Sequence, residues 1–208
     1  MIKHAWFDLE ETLTIRTYEF NEVHNQLRYE TYAEVIGKPL TEELKKEFEK
    51  LYAKHGSNSA VFRFLGRASD FWQKRFNTLE DKTKYYKPVK TVYTTLEKLK
   101  EKVPISIFTN LKPDRIESTL KIIKVDKSWF KFIISGDDIK ERKPALDGFY
   151  LMIKKSGLPP EEILYVGDRV NVDILPAKKA GMKTGLVWGK SDEADYSFEK
   201  FEDILSLF

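Results

Sequence analysis

The chain has 208 residues and a mass of 24.4 kDa, a length that fits one compact domain or a core domain with an insertion. Its 36 basic and 33 acidic residues leave a net charge of only +3, which gives no footprint for nucleic acid. The hydrophobic content of 41% predicts a folded globular protein, and no apolar stretch approaches the ~18 residues needed to cross a membrane. We therefore expect a cytoplasmic protein without a nucleic-acid or membrane partner.

The chain has no cysteine, which excludes a disulfide framework, a zinc ribbon and a thiol nucleophile. Its histidines, His4, His24 and His55, are scattered, and we expect them to be structural or surface residues. Any metal chemistry must then depend on carboxylates, whose hard oxygens favour Mg²⁺. Many lysines and glutamates without cysteine also resemble the composition of a thermophile's protein.

Residues 2–7 form a mostly apolar run that stops at Asp8, which predicts a buried strand delivering an acidic residue to its end. Helical spacing follows over 20–27, 44–52 and 61–76, and Thr41 is a suitable N-cap for the second of these helices. This part of the chain is therefore predicted to be all-helical.

From residue 88 onward, short apolar runs alternate with helical patterns. We predict strands at 103–108, 129–134, 163–166 and 184–188, and helices at 89–99, 116–123, 146–153, 171–181 and 197–208. Such alternation is typical of parallel βαβ units. The predicted fold is α/β, a Rossmann-like doubly wound parallel sheet over residues 1–15 and 86–208, interrupted by an all-helical insert at 16–85. The insert is predicted to leave and rejoin the sheet through tight segments at 14–18 and 80–88.

Polar residues follow several of the predicted strands, at the edge where an open parallel sheet binds its ligands. Because these ends lie at one rim, we expect the side chains to converge on a single site. The residues are Asp8, Glu10 and Thr12 after the first strand, Thr109 and Asn110 after the second, Lys143 before Pro144, and Gly167, Asp168 and Asp173 after the fourth.

Taken in order, these residues resemble the four motifs of the haloacid dehalogenase superfamily. The first motif is matched by the six residues from Asp8 to Leu13, the second by Thr109, the third by Lys143-Pro144 and the fourth by Gly167-Asp168 with Asp173. The resemblance spans the whole chain, and the insert at 16–85 is similar to the family's smaller helical cap, which closes over the site and helps to select the substrate.

The resemblance implies a Mg²⁺-dependent phosphohydrolase in which Asp8 attacks phosphorus and forms an aspartyl-phosphate. The metal would be held by Asp8, by the main-chain carbonyl of Glu10 and by Asp168, with Asp173 beside them. Lys143 would neutralise the nucleophile and the transferring oxygens, and Thr109 with Asn110 would bind the phosphoryl group. The expected substrate is a small phosphorylated metabolite, and the expected state is a monomer or a homodimer.

The first motif departs from the family pattern, because phosphatase members have Asp where this chain has Glu10. That residue protonates the leaving group and later activates water, and such assistance is worth about 10²–10⁴-fold in rate. Glu11 adds a second negative side chain at a position that is commonly small. Two outcomes remain open at this point: a loop rearranged to use Glu10, or a slow enzyme.

Three other functions also remain open. A 2-haloacid dehalogenase would use the same nucleophile, Asp8, without a metal, although the carboxylates of Asp168 and Asp173 argue against it. A phosphomutase would use Glu10 to move a proton between a sugar hydroxyl and phosphate. A binding or regulatory protein would keep the fold after losing turnover through Glu10 and Glu11.

Overall fold

The computed structural model of the chain describes residues 1–79 and 82–208, and these form two compact units. We call Met1–Ile15 with Tyr86–Phe208 the core unit, and Arg16–Tyr85 the helical unit. Of the segment predicted to lead back to the sheet, 80–88, residues 80 and 81 lie outside the described residues, and a 3₁₀ turn at Lys82–Tyr85 precedes the next strand.

The core unit contains a sheet of six parallel strands in the order β5-β4-β1-β6-β7-β8, and two further short strands, β2 and β3, pair with each other. The α/β fold class predicted from the sequence is confirmed. The strands are β1 (His4–Phe7), β2 (Thr14–Arg16), β3 (Tyr86–Pro88), β4 (Ile105–Phe108), β5 (Phe130–Ile134), β6 (Ile163–Gly167), β7 (Lys183–Val187) and β8 (Tyr196–Phe198).

The described residues of the helical unit form four helices around a cluster of buried aromatic and aliphatic side chains that includes Phe48, Phe62 and Trp72. Thr41 caps the second helix as predicted, since its hydroxyl accepts a hydrogen bond from the amide of Leu44. The helices are α1 (Tyr18–Ile36), α2 (Glu42–His55), α3 (Asn58–Phe64) and α4 (Phe71–Phe76).

Four more helices flank the sheet of the core unit: α5 (Lys90–Leu99), α6 (Pro113–Ile123), α7 (Asp147–Ser156) and α8 (Leu175–Lys179). The central strands are buried on both faces, and successive side chains alternate between two clusters. Ala5 and Phe7 of β1 pack in the cluster that includes side chains of α5 and α6, whereas Trp6 packs in the cluster that includes those of α7. Continuous apolar runs in the sequence correspond to this two-sided burial.

The position of β1 determines where a site can form. Phe7 pairs with Ile107 of β4 on one side and with Val166 of β6 on the other. Strands β4 and β5 therefore lie on one side of β1, and β6, β7 and β8 lie on the other. The crevice beyond the carboxyl end of β1 is the usual ligand site of such an open α/β sheet.

Three predicted helices differ from the structure. The helix predicted over 61–76 is two helices, because the chain turns at Gly66, whose φ of +78° suits glycine and ends α3. The helix predicted over 171–181 begins as a π-helical turn at Val170–Ile174 before α8. The helix predicted over 197–208 is wrong in its first part, since β8 extends the sheet, and a 3₁₀ helix at Phe201–Leu207 follows.

Among the described residues, no helix combines the length and the apolar character needed to cross a membrane.

Candidate active site

Three carboxylates meet beyond the carboxyl ends of β1 and β6. Asp8 follows β1, Asp168 follows β6, and Asp173 belongs to the π-helical turn; one oxygen from each lies within 4.8 Å of the others. The parallel pairing of the two strands places Asp8 beside the start of the fourth motif, and the Asp8 amide donates to the carbonyl of Val166 at 2.9 Å. The structure thus brings together the three acidic side chains that the sequence predicted around the metal.

Gly167 allows Asp173 to approach the end of β6. A Cβ atom at Gly167 would lie 2.4 Å from Cβ of Asp173, closer than two such atoms can approach. Asp173 is fully buried, and its Oδ2 accepts a hydrogen bond from the amide of Arg169 at 3.2 Å. The glycine of the fourth motif therefore serves the placement of Asp173.

The ammonium group of Lys143 lies between two of the carboxylates. Its Nζ is 2.9 Å from Oδ1 of Asp8 and 2.6 Å from Oδ1 of Asp173, and the side chain is fully buried. Burial alone would lower the pKa of Lys143, but the carboxylates of Asp173 and Asp8 together raise it above its usual range. Lys143 is therefore a permanent cation beside Asp8.

The side chain of Asn110 holds the main chain of Lys143. Its Nδ2 donates to the Lys143 carbonyl at 3.0 Å, and its Oδ1 accepts from the Lys143 amide at 2.8 Å. We predicted that Asn110 binds substrate; in the structure, both the nitrogen and the oxygen of its side-chain amide have protein partners. Thr109 is buried at the end of β4, where its hydroxyl accepts a long hydrogen bond, 3.4 Å, from the amide of Leu111.

Tyr165 is a site residue that the sequence reasoning missed. Its hydroxyl lies 2.7 Å from Nζ of Lys143 and 3.2 Å from Oδ1 of Asp173, and it donates to the Phe108 carbonyl. A tyrosine in a strand buried on both faces needs a partner for its hydroxyl. That requirement was visible in the sequence and could have placed Tyr165 near the charged groups.

Glu10 has partners that the sequence also did not reveal. Its Oε1 accepts a hydrogen bond of 2.5 Å from Nε of Arg115, and its Oε2 accepts one of 2.9 Å from the hydroxyl of Tyr86. The next residue, Glu11, has a φ of +64°, so the chain turns sharply after Glu10. Each carboxyl oxygen of Glu10 therefore has a specific donor, and both donors lie outside the first-motif loop.

The charges of the site are unbalanced in a way that suits a divalent cation. Burial, followed by the charges of Asp8 and Asp173, raises the pKa of Asp168 to about 7. The cluster offers hard carboxylate oxygens without histidine or thiolate, which is the donor set that Mg²⁺ prefers. These residues fit the metal that the sequence predicted.

The protein is thus an open α/β protein with a parallel sheet. Asp8 and Lys143 lie in contact beyond the carboxyl end of β1, where the chain moves to opposite sides of the sheet. A profile of the haloacid dehalogenase-like hydrolases matches residues 7–187. The chain belongs to this family, and the resemblance drawn from its motifs is confirmed.

Two curated relatives are similar to part of this chain. The pyrophosphatase PpaX of Anoxybacillus flavithermus is 36% identical over 130 residues, which cover 58% of this chain and 60% of the relative. The phosphoglycolate phosphatase of Photorhabdus laumondii is 35% identical over 121 residues, covering 54% of this chain and 51% of the relative. The matched part thus spans half to three fifths of these relatives.

Solved structures match over nearly the full chain. A proposed phosphoglycolate phosphatase from Lactobacillus plantarum has a TM-score of 0.72 at 22% identity, with 100% of both chains covered. The proposed hydrolase YfnB of Bacillus subtilis, solved with bound magnesium, has a TM-score of 0.65 at 18% identity, covering 99% of this chain and 98% of that one. At these identities the likeness shows the fold alone.

Proposed function

We propose that this protein is a Mg²⁺-dependent phosphohydrolase that cleaves a small phosphorylated compound with Asp8 as nucleophile. The observation that carries the proposal is the contact between Asp8 and the buried ammonium of Lys143, beside Asp168 and Asp173. A carboxylate is repelled by a phosphate dianion unless cations offset both charges. A permanent cation 2.9 Å from the Asp8 oxygen supplies part of that offset.

The proposed reaction has two steps. In the first, an oxygen of Asp8 bonds to phosphorus, the bond to the leaving oxygen breaks, and that oxygen receives a proton from Glu10. In the second, Glu10 takes a proton from water, the water oxygen bonds to phosphorus, and the bond to Asp8 breaks. Inorganic phosphate is released, and both side chains return to their starting states.

Asp8, the main-chain carbonyl of Glu10 and Asp168 would hold the metal, with Asp173 next to them. When bound, Mg²⁺ supplies positive charge that offsets the repulsion between the phosphate and the nucleophile. Thr109 is proposed to hold a phosphoryl oxygen through its hydroxyl. For Asn110 we propose a supporting task, since its amide fixes the main chain of Lys143.

The charge of the site favours phosphatase chemistry over the dehalogenase alternative. Asp8, Asp168 and Asp173 face two cations, the buried Lys143 and Arg169, whose Nε lies 4.0 Å from Asp168 and 3.9 Å from Asp173. When all three carboxylates are ionised they still outnumber these cations, and the remaining negative charge would repel a 2-halo acid, itself a carboxylate, unless a metal cation is bound. The helical unit, Arg16–Tyr85, is proposed to act as a cap that selects the substrate. The names of the relatives make pyrophosphate and phosphoglycolate the first compounds to assay.

The proposal is tested by inorganic phosphate release from pyrophosphate, phosphoglycolate and 4-nitrophenyl phosphate, with Mg²⁺ added or removed by a chelator. We expect release that stops on chelation and returns with Mg²⁺. An Asp168→Asn variant should bind Mg²⁺ more weakly in calorimetric titration. Magnesium-independent release, or unchanged Mg²⁺ affinity in Asp168→Asn, would contradict the proposed metal site.

A further inference from the structure

The carboxyl group of Glu10 is bound by side chains from two separate elements. Arg115 lies in the first turns of α6, and Tyr86 is the first residue of β3. Their donors reach different oxygens, Oε1 at 2.5 Å and Oε2 at 2.9 Å. We propose that Arg115 and Tyr86 are positioning residues that fix the Glu10 carboxyl group for proton transfer, an inference that rests on the proposed phosphohydrolase function.

Two donors on two oxygens define both the place and the plane of the carboxyl group. A carboxylate offers about four lone-pair directions, so each oxygen keeps one for the proton in transit. The guanidinium of Arg115 also lies over the ring of Tyr86, with 5.3 Å between Cζ and the ring centre. The two positioning residues therefore contact each other as well as Glu10.

The extra methylene of Glu10 is part of this arrangement. An aspartate would place its carboxyl group about one C–C bond, ~1.5 Å, nearer the main chain. Hydrogen bonds of 2.5 and 2.9 Å would then stretch beyond the ordinary range. The glutamate that stands where the family has aspartate is thus matched in length to its two donors, Arg115 and Tyr86.

Arg115 is largely committed to this one carboxylate. Its side chain is 21% exposed and that of Glu10 is 18% exposed, and Nη2 of Arg115 is buried without a hydrogen-bond partner among the described residues. Desolvating a guanidinium for a single acid is costly when stability alone is considered. The need to hold the Glu10 carboxyl group in one position accounts for the cost of desolvating Arg115.

The test compares kcat/KM for two phosphate esters, because this parameter reports the steps up to departure of the leaving group. The 4-nitrophenolate of the aryl ester leaves without protonation, whereas the alkoxide of an alkyl ester such as phosphoglycolate needs a proton. Arg115→Met should lower kcat/KM for the alkyl ester by about tenfold to 10²-fold and leave the aryl ester within about threefold, since a misplacement of ~1 Å costs on the order of 10²-fold. Tyr86→Phe should show the same selective loss, smaller in size.

A double-mutant cycle separates positioning from substrate binding. In the Glu10→Gln background, Arg115→Met should cause no further loss, because the group that it positions no longer transfers protons. Arg115→Lys should restore part of the alkyl-ester rate, as it keeps the charge without the planar fork. Lys121→Met, an exposed lysine of the same helix, is the matched control and should leave both esters unchanged.

The inference is overturned if the ratio of alkyl to aryl kcat/KM does not change in Arg115→Met and Tyr86→Phe. It is also overturned if the Arg115→Met loss persists in Glu10→Gln, which would place Arg115 on the substrate. Should Arg115→Met fail to fold, Tyr86→Phe, which removes one hydroxyl, decides the question. Failure of the proposed function differs from all of these, since the wild type would then release no phosphate from any ester.

Discussion

Glu10 reaches its two donors only because its side chain is longer than that of aspartate. We predict that Glu10→Asp lowers turnover of an alkyl phosphate by at least about tenfold, because the shortened carboxyl group loses Arg115 and Tyr86. Steady-state kinetics on wild type and variant at saturating Mg²⁺ measure the effect. A rise in turnover would instead mean that Glu10 slows the reaction, as expected of a family member that has become a binding or regulatory protein.

Lys143 holds two buried carboxylates together, so its removal should affect stability as well as activity. Lys143→Met leaves Asp8 and Asp173 without their shared cation, and breaking such a buried pair costs about 3–5 kcal/mol. We expect urea unfolding at neutral pH to show a loss of this order, partly recovered when Mg²⁺ is added. Lys121→Met is the control, and equal stability of the two variants would refute this interpretation of the lysine.

Single residues of the site were predictable where a motif marked them and unpredictable where only the fold joins them. The sequence predicted that Asp8, Asp168 and Asp173 converge, because Asp8 and Asp168 follow apolar runs and Asp173 stands five positions after Asp168 in the fourth motif. The partners of Glu10 lie 76 and 105 positions away, and the sequence holds no signal that connects such distant positions. Asn110 was predicted as a substrate ligand. Its hydrogen bonds to the main chain of Lys143 could not be predicted, because they depend on the path of the loop after β5.

The junction between β6 and its π-helical turn sets the position of Asp173. We predict that Gly167→Ala weakens Mg²⁺ affinity and phosphatase activity by about tenfold or more, because the new methyl group displaces Asp173. Gly189→Ala is the control, since a Cβ atom there meets nothing within 4 Å. Calorimetric Mg²⁺ titration tests this, and equal affinity in the two variants would show that the close approach is not needed.

Elements were predicted well where one periodic signal dominated and poorly where backbone details intervened. The strands β1, β4, β5, β6 and β7 followed from mostly apolar runs, because strands of a sheet covered on both faces carry few polar residues. The helical spacing over 61–76 continued through Gly66, where the left-handed backbone ends α3. At 197–208 the same apolar residues fit a helix or a strand, and pairing with β7 selects the strand β8.

For the whole molecule, one buried histidine links folding to pH. Burial, with a smaller contribution from nearby Lys131, lowers the pKa of His4 to about 4, and its Nε2 lies 2.8 Å from the hydroxyl of Ser106. The folded state therefore favours the neutral ring, so its stabilising contribution is complete above pH ~6.5 and is lost as the pH falls from there towards 4. From pH 7 to 5 this amounts to about 2 kcal/mol.

His4→Gln isolates this effect. Asp168, whose pKa is about 7, acts in the opposite direction because its folded state binds a proton more readily, but it is present in both proteins and cancels in the difference. We expect the stability advantage of the wild type over His4→Gln, measured by urea unfolding, to shrink by about 2 kcal/mol between pH 7 and 5. A constant advantage would show that His4 titrates normally.

The central claim, that Asp8 is the nucleophile of a Mg²⁺-dependent phosphohydrolase, is tested most directly by phosphate release from 4-nitrophenyl phosphate with wild type and Asp8→Asn in parallel, each with and without Mg²⁺. The account predicts release only from the wild type with Mg²⁺, because the neutral amide of Asn is too weak a nucleophile to bond to phosphorus and offers the metal no negative charge. Equal release from Asp8→Asn would contradict it.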